Sequence, residues 1–274
     1  MKNKLIQIKS LLLLSFIIIG LMSSCEYKEY PDSDVPEQAI YMTSAAAATR
    51  APSPTGFYDV NSVAIPGQLF RYVVDPVTNR FNISLGIGRS GISLEGDVNV
   101  NIVLNADTVS KLKTSGKLAA DVMVLPATAF NLQTSILMPS GSSTTSFPLS
   151  IDLPFLINNP NTRFAIGVGI TSNDRKATKN LNTTIVLLNT SFLFPVSNFT
   201  FAANTTNPKI INFTNTSING VSSTWNFGDG SAVSTEKSPI KTYSNSGTYN
   251  VTLTTIGVTG DAQKSVKTTS VIVN

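Results

Sequence analysis

Trp225-Asn-Phe-Gly-Asp-Gly-Ser231 decides how the C-terminal part of this 274-residue chain folds. Trp225 and Phe227 stand two apart, so on an extended strand both side chains point the same way, into a core. Gly228 and Gly230 permit a tight turn, and the Asp229 carboxylate between them can close it by accepting backbone amides. Beyond Ser238-Pro239, the stretch Tyr243-Ser-Asn-Ser-Gly247-Thr-Tyr249-Asn-Val251-Thr-Leu253 continues the alternation. Tyr249, Val251 and Leu253 share one face, and Gly247 permits a bend into their strand. Working outward, residues 199–202, 210–215, 223–227, 248–255 and 265–273 read as short strands divided by Gly, Asn, Asp and Pro turns. That pattern predicts an antiparallel sandwich.

The period-2 signal extends upstream. Phe81, Ile83, Leu85 and Ile87 alternate with Asn82, Ser84 and Gly86, and Val98, Val100, Ile102 and Leu104 alternate with Asn99, Asn101 and Val103. Such alternation predicts half-buried strands. Further strands are expected at 38–43, 71–74, 129–132, 135–138, 146–153, 163–170 and 183–188. One short helix is expected over 107–115, ended by Gly116. Residues 44–68 read mainly as loop, because Pro52 and Pro54 stop the alanine run before them. A boundary falls at Phe194-Pro195. The expected fold is therefore all-β: two tandem antiparallel β-sandwiches, residues 38–194 and 195–274, the second immunoglobulin-like.

The N-terminus has a different logic. Lys2, Lys4 and Lys9 precede an apolar run from Leu11 to Ile19, broken by Ser15, and Ser23-Ser24-Cys25 follows. This is the layout of a cleaved secretory signal over residues 1–24. The run falls short of the ~20 residues a membrane span needs. The cysteine at its end resembles the bacterial lipobox, with Met22 an unusual residue within it. The resemblance implies that Cys25 is acylated and holds the chain on a bilayer, with residues 25–37 as tether. Glu26, Glu29, Asp32 and Asp34 resemble the acidic signal that sends Bacteroidetes-type lipoproteins to the outer face of the outer membrane.

Composition excludes several chemistries. The chain has no histidine and one cysteine, Cys25. No Ser-His-Asp or Cys-His catalytic arrangement and no Cys/His zinc site can exist. The net charge of +4 misleads, because three of the 20 basic residues precede Cys25 and none of the 16 acidic ones do. Seventeen against 16 remain, with no basic run, so nucleic acid is not an expected partner. Gly86-Ile-Gly88-Arg-Ser-Gly91 spells a dinucleotide fingerprint, but turn and strand follow it where a pyrophosphate site needs a helix. A glycosidase needs two carboxylates across a cleft. Glu95 and Asp97 flank Gly96 in what reads as a hairpin tip. No enzyme activity, cofactor or metal is expected.

Two family resemblances accompany these residues. Trp225-Asn-Phe-Gly-Asp-Gly at its distance from Tyr243 to Leu253 resembles the PKD (polycystic kidney disease) domain, over residues 195–274. It implies the immunoglobulin-like sandwich. Some members bind calcium through carboxylates near the domain start, but 195–215 has no acidic residue. Ile40-Tyr41, Val98 to Leu104, Leu125-Pro126-Ala-Thr-Ala-Phe130-Asn-Leu132, Pro139-Ser-Gly141 and Phe164 to Ile170 resemble a domain of unknown function. That domain stands at the N-terminus of Bacteroidetes surface lipoproteins from glycan-utilisation loci. Phe130 departs from a usual tyrosine there, and the 44–68 insertion is long. The resemblance implies a β-sandwich with a supporting or glycan-binding role.

The functional expectation is a non-catalytic cell-surface lipoprotein. It binds polysaccharide or glycoprotein, as an accessory of glycan capture near an outer-membrane transport complex. The alternative is a structural or adhesive spacer making protein–protein contacts. Candidate ligand-binding residues are Phe57 and Tyr58, with Asp59 and Asn61 as hydrogen-bonding neighbours; a loop anchor is the blander reading of that aromatic pair. Asp107-Thr108-Val109 resembles the Bacteroidetes O-glycosylation motif at Thr108. An exposed aromatic cluster at Phe57-Tyr58 would favour glycan binding. A long unpaired edge strand would favour the adhesive alternative.

Overall fold

The computed structural model describes residues 37–50, 57–64 and 70–274, with residues 47–50 described in backbone alone. The expected leader, the Cys25 lipidation site and nearly all of the tether lie outside these residues. Residues 38–274 form one compact unit.

Among the described residues, the first half contains twelve strands and three short helices. These are β1 (Ala39–Met42), α1 (Thr43–Arg50), β2 (Tyr58–Val60), β3 (Tyr72–Asp75), β4 (Arg80–Arg89), β5 (Val98–Leu104), α2 (Ala106–Thr114) and β6 (Met123–Val124). They continue as β7 (Phe130–Leu132), β8 (Ser135–Met138), β9 (Thr144–Asp152), α3 (Leu153–Ile157), β10 (Arg163–Thr171), β11 (Lys176–Ala177) and β12 (Thr183–Asn189). One sheet runs β11-β1-β4-β9-β7, with β3 also on β4. The other runs β2-β12-β10-β5-β8, with β6 also on β10. Pairing is antiparallel except at three short ladders, β1/β11, β6/β10 and β2/β12.

The alternation places the core where expected. Phe81, Ile83, Leu85 and Ile87 on β4 face Phe147, Leu149 and Ile151 on the neighbouring β9, all at or below 1 % exposure. Val98 and Val100 close the core from the second sheet. Each such side chain contributes ~1.5–3 kcal/mol of apolar burial, and no disulfide is available to help. β10 is buried on both faces because α2 and the segment to Val122 cover its outer side, through Val109, Leu118 and Val122 against Ala165 and Leu187. Gly167 and Gly169 make that cover possible: a Cβ there would meet Asn105 at 2.8 and 2.5 Å.

Residues 44–68 are less loop-like than the prolines suggest. The alanine run forms α1 directly after β1, as its high helix propensity favours, and Tyr58–Val60 adds an edge strand to β12. The fingerprint glycines serve this arrangement. A Cβ at Gly86 would lie 2.4 Å from Thr43 Oγ1, and one at Gly88 would lie 2.5 Å from the Tyr41 ring. Both sit within β4, so no helix N-terminus follows them.

The second half carries β13 (Phe199–Ala203), β14 (Ile210–Asn215), β15 (Ser222–Asn226), β16 (Ile240–Thr242), β17 (Gly247–Gly257) and β18 (Gly260–Val273). They form two three-stranded sheets, β13-β14-β16 and β15-β17-β18. Trp225 is fully buried, its ring 5.1 Å from Phe199, 5.4 Å from Phe213 and nearly parallel to Phe227, and its Nε1 donates to the Glu236 carbonyl at 3.0 Å. It is core, not a stacking platform. Gly228 and Gly230 both have positive φ, and Asp229 Oδ1 accepts from the Ser231 amide at 3.1 Å. Asp229 Oδ2 also pairs with Lys241 Nζ at 2.7 Å. Gly247 does not carry the expected bend: its φ is not positive, and it already pairs with Val273. The β17–β18 tip reaches the first core through Val258, and Asn219 Nδ2 donates to the Ser191 and Phe194 carbonyls at 3.0 and 3.1 Å.

Candidate functional site

Phe57 and Tyr58 do not form one surface. Entering a strand, adjacent residues face opposite sides of a sheet. Phe57 packs against the outer cluster of Val109, Leu118, Val122, Ala165 and Leu187, whereas Tyr58 packs against the main core. The Arg71 guanidinium lies 4.8 Å from the Tyr58 ring centroid and donates to the Asp59 carbonyl at 2.8 Å. Burial raises the Tyr58 hydroxyl pKa, against a smaller lowering from Arg71. Asn61 is exposed beyond the end of β2, and Thr108 is half-buried on the first turn of α2.

A concavity of the first sandwich lies elsewhere, along edge strand β7. It has two lobes that share Leu104, Ala127 and Phe130. The larger, about 720 Å³, has Ile102, Leu104, Phe130, Leu132 and Pro148 as its apolar lining and Asn131, Gln133, Thr134 and Ser150 as its polar lining. The smaller, about 280 Å³, is almost wholly apolar, lined by Val109, Val124, Leu125, Pro126 and Ile166. No ionisable side chain lines either lobe.

Local structure explains the opening. Leu104 continues the buried stripe of β5 but is 47 % exposed, because neither β7 nor β6 extends far enough to cover it. Pro126 has extended backbone and starts a single 3₁₀ turn over Ala127–Ala129, which lifts the chain off β6 and delivers Phe130 to the other sheet. Phe130 therefore stands half-buried between the lobes, with Val124 beside it 43 % exposed. Gln133 Nε2 is held by the Ser135 carbonyl at 3.1 Å. The lining joins apolar groups and the aromatic Phe130 to amides and hydroxyls with no ionisable side chain among them, a composition that suits a neutral ligand with both C–H faces and hydroxyl edges.

A second concavity, about 410 Å³, lies in the second half and is lined by Asn215, Ser217, Ser223, Thr235, Lys237 and Thr255. Its Thr255 hydroxyl belongs to a hydrogen-bonded cluster, with Oγ1 2.8 Å from Ser197 Oγ and 3.1 Å from Ser217 Oγ.

The model of the PKD domain family matches residues 194–273, and that stretch is a PKD domain. A second family model, described as an N-terminal domain, matches residues 55–177, which include the β7 groove. No curated protein matches the chain. The PKD1 domain of the Vibrio cholerae metalloprotease PrtV is 32 % identical, covering 30 % of this chain and 98 % of its own, with a TM-score of 0.26. A protein from Bacteroides ovatus described as carbohydrate-binding is 9 % identical over 85 % of this chain and 70 % of its own, with a TM-score of 0.40. Bacteroides thetaiotamicron EndoBT-3987, solved with a Man5GlcNAc product, is 10 % identical over 55 % of this chain and 30 % of its own, with a TM-score of 0.36.

Proposed function

We propose that this chain is a non-catalytic glycan-binding protein of the bacterial surface, held on the outer membrane through lipid on Cys25. In this reading the β7 groove takes a neutral segment of polysaccharide or of a glycoprotein's glycan. The supporting observation is the composition of the groove's lining: Phe130 with Asn131, Gln133, Thr134 and Ser150, and no carboxylate or cation among the lining residues. A pyranose ring stacks its C–H face on an aromatic and spends its hydroxyls on amides and side-chain hydroxyls. Without a paired carboxylate the lining offers no acid or base for hydrolysis. The resemblance of residues 38–190 to surface lipoproteins of glycan-utilisation loci points the same way, and there the PKD domain serves as a spacer. Capture next to a transport complex is the role this arrangement suits.

Calorimetric titration of residues 26–274 with plant, host and microbial polysaccharides tests the reading. Heat is expected with at least one neutral glycan. Phe130→Ala is expected to weaken it by ~10-fold or more, equivalent to ~1.4 kcal/mol, without moving the thermal midpoint by more than a few degrees. Heat that survives Phe130→Ala but is lost in Phe57→Ala or Tyr58→Ala would return the site to the β2 edge. The adhesive alternative is favoured by one observation, the long uncovered edge of β18.

A further inference from the structure

β18 is 14 residues long and lies at the edge of its sheet, paired with β17 alone. In an antiparallel ladder alternate residues turn N–H and C=O away from the partner, so the far side of β18 offers unpaired donors and acceptors. Near its start that side is occupied. Ser197 N–H donates to Ser265 Oγ at 2.9 Å, Ser197 Oγ to the Ser265 carbonyl at 2.8 Å, and Lys267 reaches Asn198. From Thr268 to Val273 no other strand of the described residues pairs with it.

Natural sheets blunt such edges with charge, proline or a bulge. Thr268-Thr-Ser-Val-Ile-Val273 has no charge, proline or glycine. The ladder's one irregularity lies at its other end, between Thr255 and Gly257. The opposite edge of the same sheet is capped, since Trp225 on β15 exchanges backbone hydrogen bonds with Ser234 at 2.8 and 3.0 Å. The sheet's outer face beside the open edge is also uncharged. There Thr252 and Thr268 share a hydroxyl hydrogen bond of 2.8 Å, Ser270 Oγ donates to Asn250 at 2.9 Å, and Ile272 is 68 % exposed.

We propose that this edge pairs with the same edge of a second copy of the chain, antiparallel about a two-fold axis at Ser270. In that arrangement an edge strand is its own complement: donors meet acceptors and the interface is isologous. Thr268 lies opposite Ile272, Ser270 meets Ser270, and Lys267 faces Val273, so like charges do not meet. The two three-stranded sheets become one of six strands. A single strand-to-strand strip falls below the ~1,200 Å² of stable interfaces, so the pair is weak in dilute solution. It strengthens when copies are concentrated on one surface, as a lipid anchor at Cys25 would do. The inference rests on the edge alone and not on the groove.

Sedimentation velocity and hydrogen exchange on residues 26–274, which keep the whole compact unit, test it from ~10 μM to ~1 mM. The expected result is a rising sedimentation coefficient, with alternate amides of 268–273 slowed at least ~tenfold at the upper concentration. Ser270→Lys and Ile272→Lys, both at exposed positions, are each expected to abolish both effects while leaving Trp225 fluorescence unchanged. A flat coefficient with freely exchanging edge amides overturns the proposal, as does a dimer that survives both lysine variants. Neither readout involves glycan, so failure here leaves the groove reading standing.

Discussion

Asp229→Asn isolates the charge in the turn that anchors the PKD sandwich. The amide keeps an oxygen for the Ser231 amide but cannot pair with Lys241. Burial alone pushes the Asp229 carboxyl up, and the hydrogen bonds from Lys241 and Ser231, with the Lys241 charge, outweigh it and hold the pKa at about 2 against an ordinary 3.8. Both side chains of the pair are 17 % exposed, so solvent screens them little. At 1.36 kcal/mol per pKa unit the shift corresponds to ~2 kcal/mol of stability. Because the folded pKa is the lower one, this contribution is complete above pH 3.8 and is lost as pH falls through about 2. Urea denaturation at pH 7, 5, 3 and 2 measures it. Fluorescence is the probe, since Trp225 is the only tryptophan and lies in this core. Asp229→Asn is expected to lose ~2 kcal/mol at pH 7, with the unpaired Lys241 adding to the loss, and the gap should close towards pH 2. Equal stability at pH 7, or a gap that stays constant down to pH 2, refutes this account of the turn.

Two further changes test the scaffold around the sites. Gly228→Ala puts a Cβ 2.6 Å from the Asn250 carbonyl oxygen at a φ of +73°. The left-handed backbone alone costs ~1–2 kcal/mol, so the loss by the same fluorescence assay is expected to exceed that, and a loss under ~0.5 kcal/mol contradicts it. Arg89 is 5 % exposed, and its guanidinium donates to the carbonyls of Leu94 (2.7 Å), Gly96 (3.0 Å), Met138 and Pro139 (both 3.3 Å). Arg89→Met strands those acceptors and is expected to destabilise the first sandwich by ~3 kcal/mol, read by far-ultraviolet circular dichroism; a wild-type midpoint contradicts it.

The strands were legible because period 2 and burial coincide: Phe81 to Ile87 and Trp225 with Phe227 fall on the core side their spacing demands. The alanine run before Pro52 is helix-forming by propensity, and Pro52 and Pro54 do not stop it, because they lie beyond the last residue of α1. Leu153-Pro-Phe-Leu-Ile157 was hidden because it continues the apolar content of β9, and so short a helix has no period of its own. The groove was not legible for a different reason. Leu104 is in phase with Val98, Val100 and Ile102, and alternation fixes which face a residue occupies but not whether the opposite sheet reaches far enough to cover it. In the sequence Phe57 and Tyr58 are plain neighbours in a Pro/Gly-rich stretch, and only the strand they enter sends them to opposite faces. The open side of β18 is likewise a property of sheet order, which no local pattern encodes.

The account's central claim is that glycan lies in the β7 groove. The most direct test is a crystal structure of residues 26–274 soaked with an oligosaccharide of whichever polysaccharide gives heat. A pyranose ring stacked on Phe130, with hydroxyls on Asn131, Gln133, Thr134 or Ser150, is the predicted result. Sugar bound at the Tyr58 edge or on the PKD domain, with the β7 groove empty, would contradict it.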